Sequence, residues 1–253
     1  MAVVRTPKNI LLVEDEPTLQ RILGSVLTDA GHRVESVGTA EQALERLQNT
    51  GERDIDLVLS DKNLPAMSGL DLLAQVRAFE KKARRAVGFV LVTGYPSRDS
   101  ALAVLNGDGD GYLVKPFRSL SHAVDQIQAV LSADLTTKRA GRPLARSLAG
   151  IVAGKASDAL ADATCAVLVD DAARAGAIKH ALAKAHVTVD DVGRLPATGR
   201  AALLASRVED LQAYAKGRAG AALVLVDGGA SFSDIVALIG AGGGAIVEPV
   251  GVV

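Results

Sequence analysis

Tryptophan is absent, aromatic residues make up only 3% of the 253 positions, and cysteine occurs once. Cores must therefore be built from alanine, valine, leucine and isoleucine. A single thiol, Cys165, excludes an intrachain disulfide. It reads as a small buried hydrophobe at the start of a strand rather than as a reactive group. An excess of one charge is also missing. The formal net charge is −1, so no global field singles out nucleic acid or an acidic membrane as partner. No uninterrupted apolar run approaches the ~20 residues of a membrane span. Charged residues follow Leu12 at once, so no signal region is read at the start. These absences lead to the expectation of a cytoplasmic protein without a membrane partner. Hydrophobic residues make up 49% and charged residues 23%, enough apolar surface to order most of the chain. The length suits one large domain or two small ones.

The first half alternates short apolar runs with helical periodicity. Strands are predicted at Asn9–Val13, Arg33–Val37, Ile55–Ser60, Phe89–Thr93 and Tyr112–Val114. Between them, Leu19, Ile22, Leu23, Val26 and Leu27 recur at helical spacing after Pro17, and Thr39 with Gln42 opens the next helix. Helices follow at Leu70–Phe79, Ala101–Leu105 and from Ser119 to about Leu131. Five strand–helix units in succession predict an α/β, doubly wound, five-stranded parallel sheet.

From Ser132 the character changes. Lys138, Arg139, Arg142 and Arg146 cluster beside Gly141 and Pro143. This stretch reads as a partly helical linker, 134–163, with a solvated basic face and no interleaved aromatics to favour nucleic acid. A second, smaller α/β domain is expected over 164–253. It has strands at Ala166–Val169, Val187–Val192, Ala222–Val226 and Ala245–Val247, and helices over 172–185, 199–216 and 233–239. The acidic pair Asp170–Asp171 after its first strand, and Asp227 after a later one, mirror the first domain, 1–133, as a weak internal repeat. His32, His122, His180 and His186 lack ligand spacing and are read as surface or helix residues. The Asp108–Gly111 run lacks the later glutamate of a calcium loop and reads as a tight turn.

In an open parallel sheet, ligands collect at the carboxyl ends of the strands. Glu14 and Asp15, Asp61, Thr93 and Lys115 all fall at those ends. Three converging carboxylates repel one another and call for a cation. Oxygen donors of this kind suit Mg2+, which keeps several waters for an incoming phosphate. A carboxylate can serve as the nucleophile that forms an aspartyl-phosphate, lysine as a point charge for phosphate oxygens, and threonine as a hydroxyl donor.

The stretches Leu11-Leu12-Val13-Glu14-Asp15-Glu16-Pro17, Ser60-Asp61-Lys62-Asn63-Leu64-Pro65-Ala66-Met67-Ser68-Gly69, Val92-Thr93-Gly94 and Gly111-Tyr112-Leu113-Val114-Lys115-Pro116-Phe117 resemble the receiver domain of bacterial two-component response regulators. The motifs occur in order over about residues 8–131. The resemblance implies a flavodoxin-like fold, with Asp61 as the phosphorylated residue. It implies Mg2+ held by Asp15, by Glu14 through water, by Asp61 and by the backbone carbonyl of Asn63. Lys115 would contact the phosphate, Thr93 would be the switch hydroxyl, and Tyr112 the aromatic that changes rotamer with it. The family's Lys–Pro bond, here Lys115–Pro116, is usually cis. A sensor histidine kinase or phosphotransfer protein is implied as donor and a downstream protein as target, with self-association through the face of the fourth helix, fifth strand and fifth helix. Asn63 and Tyr95 are expected at the rim of the water path, with opposite effects on autodephosphorylation.

The second segment resembles a degenerate receiver. Asp227 is taken as the counterpart of the acceptor, yet no Pro-x-Met-x-Gly stretch follows it, and Glu248 stands where a lysine would. The interval from Asp227 to Glu248 is too short for a complete unit. Either that unit is missing, or Val247 belongs to strand four and the chain stops early. The other reading of this segment is an unrelated α/β domain. For function, two alternatives stand beside the phosphorelay signalling protein. One is a transcription regulator contacting DNA through 138–160. The other is an aspartyl-phosphate phosphatase, against which Asn63 occupies the place of that class's second aspartate. No separate enzyme activity is expected beyond self-catalysed phosphotransfer and autodephosphorylation.

Overall fold

Runs such as Leu57-Val58-Leu59 and Val90-Leu91-Val92 are apolar on both sides of the pleat, so each needs a covering layer on both faces. The structure, a computed structural model, supplies those layers. It describes residues 6–49, 54–155, 160, 163–196, 200–216, 218, 220–226 and 230–247. The chain divides into two compact units, Met1–Leu135 and Thr136–Val253. Among the described residues no helix is long and apolar enough to cross a membrane.

The first unit runs β1 (Asn9–Val13), α1 (Pro17–Asp29), β2 (Arg33–Val37), α2 (Ala40–Gln48), β3 (Leu57–Asp61), α3 (Gly69–Ala83), β4 (Gly88–Thr93), α4 (Arg98–Asn106), β5 (Gly111–Val114) and α5 (Leu120–Ser132). All pairings are parallel, in the order β2-β1-β3-β4-β5. One face of the sheet, carrying Ile10, Leu12, Leu57, Leu59, Val90, Val92 and Leu113, packs with Leu23 and Leu27 of α1 and Ile127 and Val130 of α5. By the two-residue alternation of strands, Leu91, Thr93 and Tyr112 belong to the opposite face. At the far end of that sheet Arg77 ties α3 down. Its guanidinium donates to the Val87 and Asp108 carbonyls at 2.9 and 3.1 Å and to buried Asp110 at 3.0 Å. The tight turn expected at Asp108–Gly111 is therefore also an anchor, with Asp108 at φ 61°.

His32 departs from the expected surface placement. It is buried, and its Nε2 lies 3.0 Å from Gln128 Oε1 of α5 while Nδ1 accepts from the Lys8 backbone N–H.

The second unit begins earlier than the sequence suggests. Beyond α6 (Leu135–Arg139) lies α7 (Arg142–Val152). The stretch read as a linker supplies core instead. Leu144, Ala145, Leu148 and Val152 join one cluster with Cys165, Val224, Ala245 and Val247. Arg142, expected on a solvated face, is buried, and its Nε donates to the Gly242 carbonyl at 2.7 Å. Pro143 at the first turn and the apolar stripe explain the helix. The stripe needs a sheet to cover it, which a solvated linker would not provide.

The elements that follow are β6 (Thr164–Leu168), α8 (Ala172–Lys184), β7 (Thr188–Val189), a short 3-10 turn (Val192–Arg194), β8 (Ala201–Ala205), α9 (Val208–Ala215), β9 (Ala222–Val226), α10 (Phe232–Gly240) and β10 (Ala245–Val247). Helix was predicted from Gly199 to Lys216, but Ala201–Ala205 is the central strand of a second parallel sheet, ordered β10-β9-β8-β6-β7. That is the order of the first sheet read from its other edge. β8 pairs with β6 and β9 as β3 pairs with β1 and β4. Five strands are present, and Val247 ends the fifth rather than the fourth. The end of β8, at Ser206-Arg207, is the counterpart of the Asp61 end, and the end of β9 is the counterpart of Thr93. Asp227 therefore does not follow the acceptor strand. Its side chain and that of Glu248 lie outside the described residues.

One helix has changed its place in the chain. In the first unit α5 follows the last strand and covers β4 and β5. In the second, α7 precedes the first strand and covers β9 and β10.

Cys165 makes this packing measurable. It is fully buried, and burial pushes its thiol up to about 12. The thiol should resist a disulfide reagent at pH 8 in native protein and react on opening of the second unit. Arg142→Ala strands the Gly242 carbonyl and empties a buried volume, a cost of about 2–4 kcal/mol. Its thiol should then react about 30- to 1000-fold faster than wild type when opening is in rapid equilibrium. An unchanged rate would show that Arg142 does not hold α7 to the sheet.

Candidate functional site

Parallel ladders end in a fringe where backbone groups continue the strand's bonding for one residue more. Glu14 N–H donates to the Val37 carbonyl at 3.1 Å, Lys62 N–H to Val92 at 2.8 Å, and Lys115 N–H to Thr93 at 2.8 Å. These bonds fix the Cα positions of the site before any side chain is considered. Gly69 fixes the loop after Asp61. Its N–H donates to the Lys62 carbonyl at 2.9 Å, and a Cβ there would run into the Asp61 carbonyl oxygen. Ala66 takes φ 60° within the same loop. The Pro65-x-Met67-x-Gly69 stretch is thus a turn that returns the chain under its own acceptor strand.

At the centre, the Lys115 ammonium donates to Asp61 Oδ1 at 2.5 Å and to Glu14 Oε2 at 2.7 Å. Asp61 Oδ2 accepts the Asn63 backbone N–H at 2.5 Å. Asp61 and Glu14 are buried, while Asp15 and Asn63 are exposed at the rim. The Lys115–Pro116 bond is cis. A cleft of about 670 Å3 opens beside Glu14 and Asp15, between α1 and α2. Thr93 is fully buried, with its hydroxyl oxygen accepting the Tyr95 N–H at 3.0 Å. The Tyr95 ring is 76% exposed and stands out from the site. Tyr112 is turned inward, its phenol 2.6 Å from Ser100 Oγ. The structure thus joins Asp61, Glu14 and Lys115 directly, sets Asp15 and Asn63 at their edge, and keeps Thr93, Tyr95 and Tyr112 on the neighbouring strands and loop. Ser100 is the residue that sequence reasoning missed. The signal was Ser97-x-x-Ser100, a capping pair that starts α4 three residues before the predicted Ala101.

The charges do not balance. Burial, the largest influence, raises the Glu14 carboxyl above its ordinary range, and the Lys115 bond only partly offsets it. Burial pulls the Lys115 ammonium down, but its bonds to Asp61 and Glu14 outweigh that and leave it raised. Two buried carboxylates, those of Glu14 and Asp61, share one ammonium, and exposed Asp15 stands next to Glu14 in the chain, an excess of negative charge that a divalent cation would neutralise. Among the described residues no three Asp, Glu, His or Cys side chains are grouped as a ligand cage. Mg2+ does not require one, because it takes one or two carboxylates and keeps its waters. The donors at hand fit that habit.

With this geometry in place, the comparisons are direct. A family model described as the response regulator receiver domain matches residues 10–127. The chemotaxis protein CheY-3 of Vibrio cholerae is 31% identical over 128 residues, which cover 50% of this chain and 95% of that protein. The TorCAD operon transcriptional regulatory protein TorR of Escherichia coli (strain K12) is 36% identical over 110 residues, 44% of each chain. Among solved structures, a CheY-like response regulator receiver domain protein from Methanospirillum hungatei JF-1 is 29% identical. That match covers 50% of this chain and 94% of the other, at TM-score 0.44. The chain belongs to the response-regulator receiver family.

Removing the ammonium tests the electrostatics. In Lys115→Met, two buried carboxylates lose their cation, and the Glu14 carboxyl, already raised by burial, rises further. The native state then binds more protons than the unfolded chain over the window above 4.5, so stability falls as pH rises. Lys115 is partly exposed, so the loss at pH 8 should be about 2–3 kcal/mol, below that of a fully buried pair. It should shrink at pH 5.5. Protection factors of β1 and β3 amides in magnesium-free buffer at the two pH values measure this, and a loss that grows on acidification would contradict it.

Proposed function

We propose that Asp61 accepts a phosphoryl group from a sensor histidine kinase or a phosphotransfer protein, and that the protein signals through phosphorylation-dependent protein contacts. The observation that carries this reading is the Lys115 ammonium held between Asp61 and Glu14 at the carboxyl end of the sheet. An Asp61 oxygen attacks phosphorus, forming the O–P bond as the donor's P–N bond breaks. The electron pair stays on the donor imidazole nitrogen. Lys115 is placed to follow the charge from carboxylate to phosphoryl oxygen, and Thr93 to donate its hydroxyl once its loop shifts. Asp15, Asp61 and the Asn63 carbonyl, with Glu14 behind, are the groups for Mg2+. Bound there, it supplies neutralisation of charge on the transferring phosphoryl group. The α4–β5–α5 face is the surface for a downstream protein or a second copy. A DNA contact through 138–160 would have to do without Arg142, which is buried. The second unit has Ser206-Arg207 at the acceptor strand end, and we read it as a contact module without phosphoryl chemistry.

Incubation with acetyl phosphate and Mg2+ should add one phosphoryl group to wild type and none to Asp61→Asn, by intact-mass measurement. Equal labelling of the variant would sink the assignment. Decay after donor removal tests the rim. Asn63 can orient an attacking water, so Asn63→Ala should lengthen the lifetime. Tyr95 shields only by swinging in from its exposed position, so Tyr95→Ala should shorten it. No change in either variant would remove both side chains from the water path.

A further inference from the structure

Helices α2 and α3 are neighbours in the first unit, and a groove of about 560 Å3 lies between them. Each helix gives it a stripe at helical spacing, Leu44 and Leu47 from α2 and Ala78, Phe79, Lys82 and Ala83 from α3. Leu47 is buried at its floor, Leu44 and Phe79 are half-buried, and Ala78 and Ala83 are exposed. Among the described residues no carboxylate lines it. It shares no residue with the Glu14–Asp61–Lys115 centre, nor with α4, β5 or α5.

One end of the groove is cationic. Lys81, Lys82 and Arg84 are exposed, and their side chains have no hydrogen-bond or ion-pair partner among the described residues. The carboxylates nearest in the chain are engaged elsewhere. Glu80 bonds the Arg77 guanidinium at 2.9 Å and the Val87 N–H at 2.5 Å, and Asp54 faces Arg85 at 3.6 Å. The negative end of the α3 dipole favours cations in its last turn, but it gives no reason for an open apolar floor beside them. We propose that this groove docks an acidic amphipathic helix of a partner protein. A helix laid on α2 and α3, at the usual spacing of about 8–10 Å, would press its apolar stripe against Leu44, Leu47 and Phe79. Its carboxylates would meet Lys81, Lys82 and Arg84, which supply orientation and partner choice. A second copy of this groove offers neither a ridge to fill the floor nor an acid for the rim. Nucleic acid would answer the rim and leave the floor uncovered.

The burial of Cys165 makes the test clean, because one added surface thiol can be labelled alone. Gln48→Cys in the full-length chain puts that thiol on the groove wall, where a bimane label reports covering by a blue shift. The probe is a synthetic helical peptide of about 18 residues, with leucines on one stripe and glutamates elsewhere. One control peptide scatters the same leucines, and another replaces the glutamates by lysines. The striped acidic peptide should shift the label and saturate, and each control should bind at least about 10-fold more weakly. Ala78→Glu, at an exposed helical position, should weaken the striped peptide about 10-fold. Lys81→Gln/Lys82→Gln/Arg84→Gln should do the same and flatten the salt dependence. Unchanged thermal midpoints show that both variants fold. No shift with the striped peptide would overturn the proposal. So would equal binding of the scattered peptide, which reduces the site to a charged patch, or of the lysine peptide, which leaves only an apolar one. A shift that grows with protein concentration alone would give the groove to a second copy, and displacement of the peptide by an equal concentration of thymidine oligonucleotide would give it to nucleic acid. Either result also overturns the proposal.

Discussion

A single ammonium group shared by two buried carboxylates organises the first unit. Lys115 reaches both Glu14 and Asp61 only because the strands that carry them end at one level, and those ends are level because the ladder is parallel and in register. The arrangement is under-neutralised by design of its parts. One cation serves two buried acids, and burial raises the Glu14 carboxyl. Such a centre responds to any added charge, whether a divalent ion or a phosphoryl group, because the low-dielectric surroundings give it little other screening.

Around this centre the structure separates what must be rigid from what can move. The turn closed by Gly69 leaves no room for a side chain against Asp61, and the Arg77–Asp110 anchor pins the opposite end of the sheet. Between them, the β4–α4 loop is held by the Thr93 hydroxyl on the Tyr95 N–H, the Lys62 ammonium on the Tyr95 carbonyl and the Ser97–Ser100 cap. Weak, local bonds of this kind are the ones a change of a few kcal/mol at a neighbouring strand end can rearrange.

Most of the first unit was legible in the sequence, because its strands are rich in leucine and valine, its helices carry clear caps, and its polar groups stand at strand ends. The second unit was legible only in part. Ala201–Ala205 contains alanine and leucine alone, good helix formers without a β-branched residue, and a central strand buried on both faces shows no alternation. Missing that one strand shifted every later assignment by a place and put Asp227 on the wrong strand. Arg142 was read from its local neighbours as solvated, whereas its acceptor is a carbonyl a hundred positions away. Ser100 failed for a smaller reason. Helix starts are read to within a few residues, and here those residues held the contact.

The altered position of α7 bears on how the protein is made and cut. During synthesis this helix leaves the ribosome before any strand of its sheet, and its apolar stripe must wait for β9 and β10, which follow the other three strands of that sheet. In the first unit the sheet comes first and α5 closes onto it at once. The second core therefore depends on contacts between distant parts of the chain, which slows closure and leaves a sticky surface open meanwhile. A fragment trimmed at the apparent boundary near 164 would lose its lid altogether, leaving Ala222, Val224, Ala245 and Val247 facing water. A cut near 136 keeps the helix with the sheet it seals.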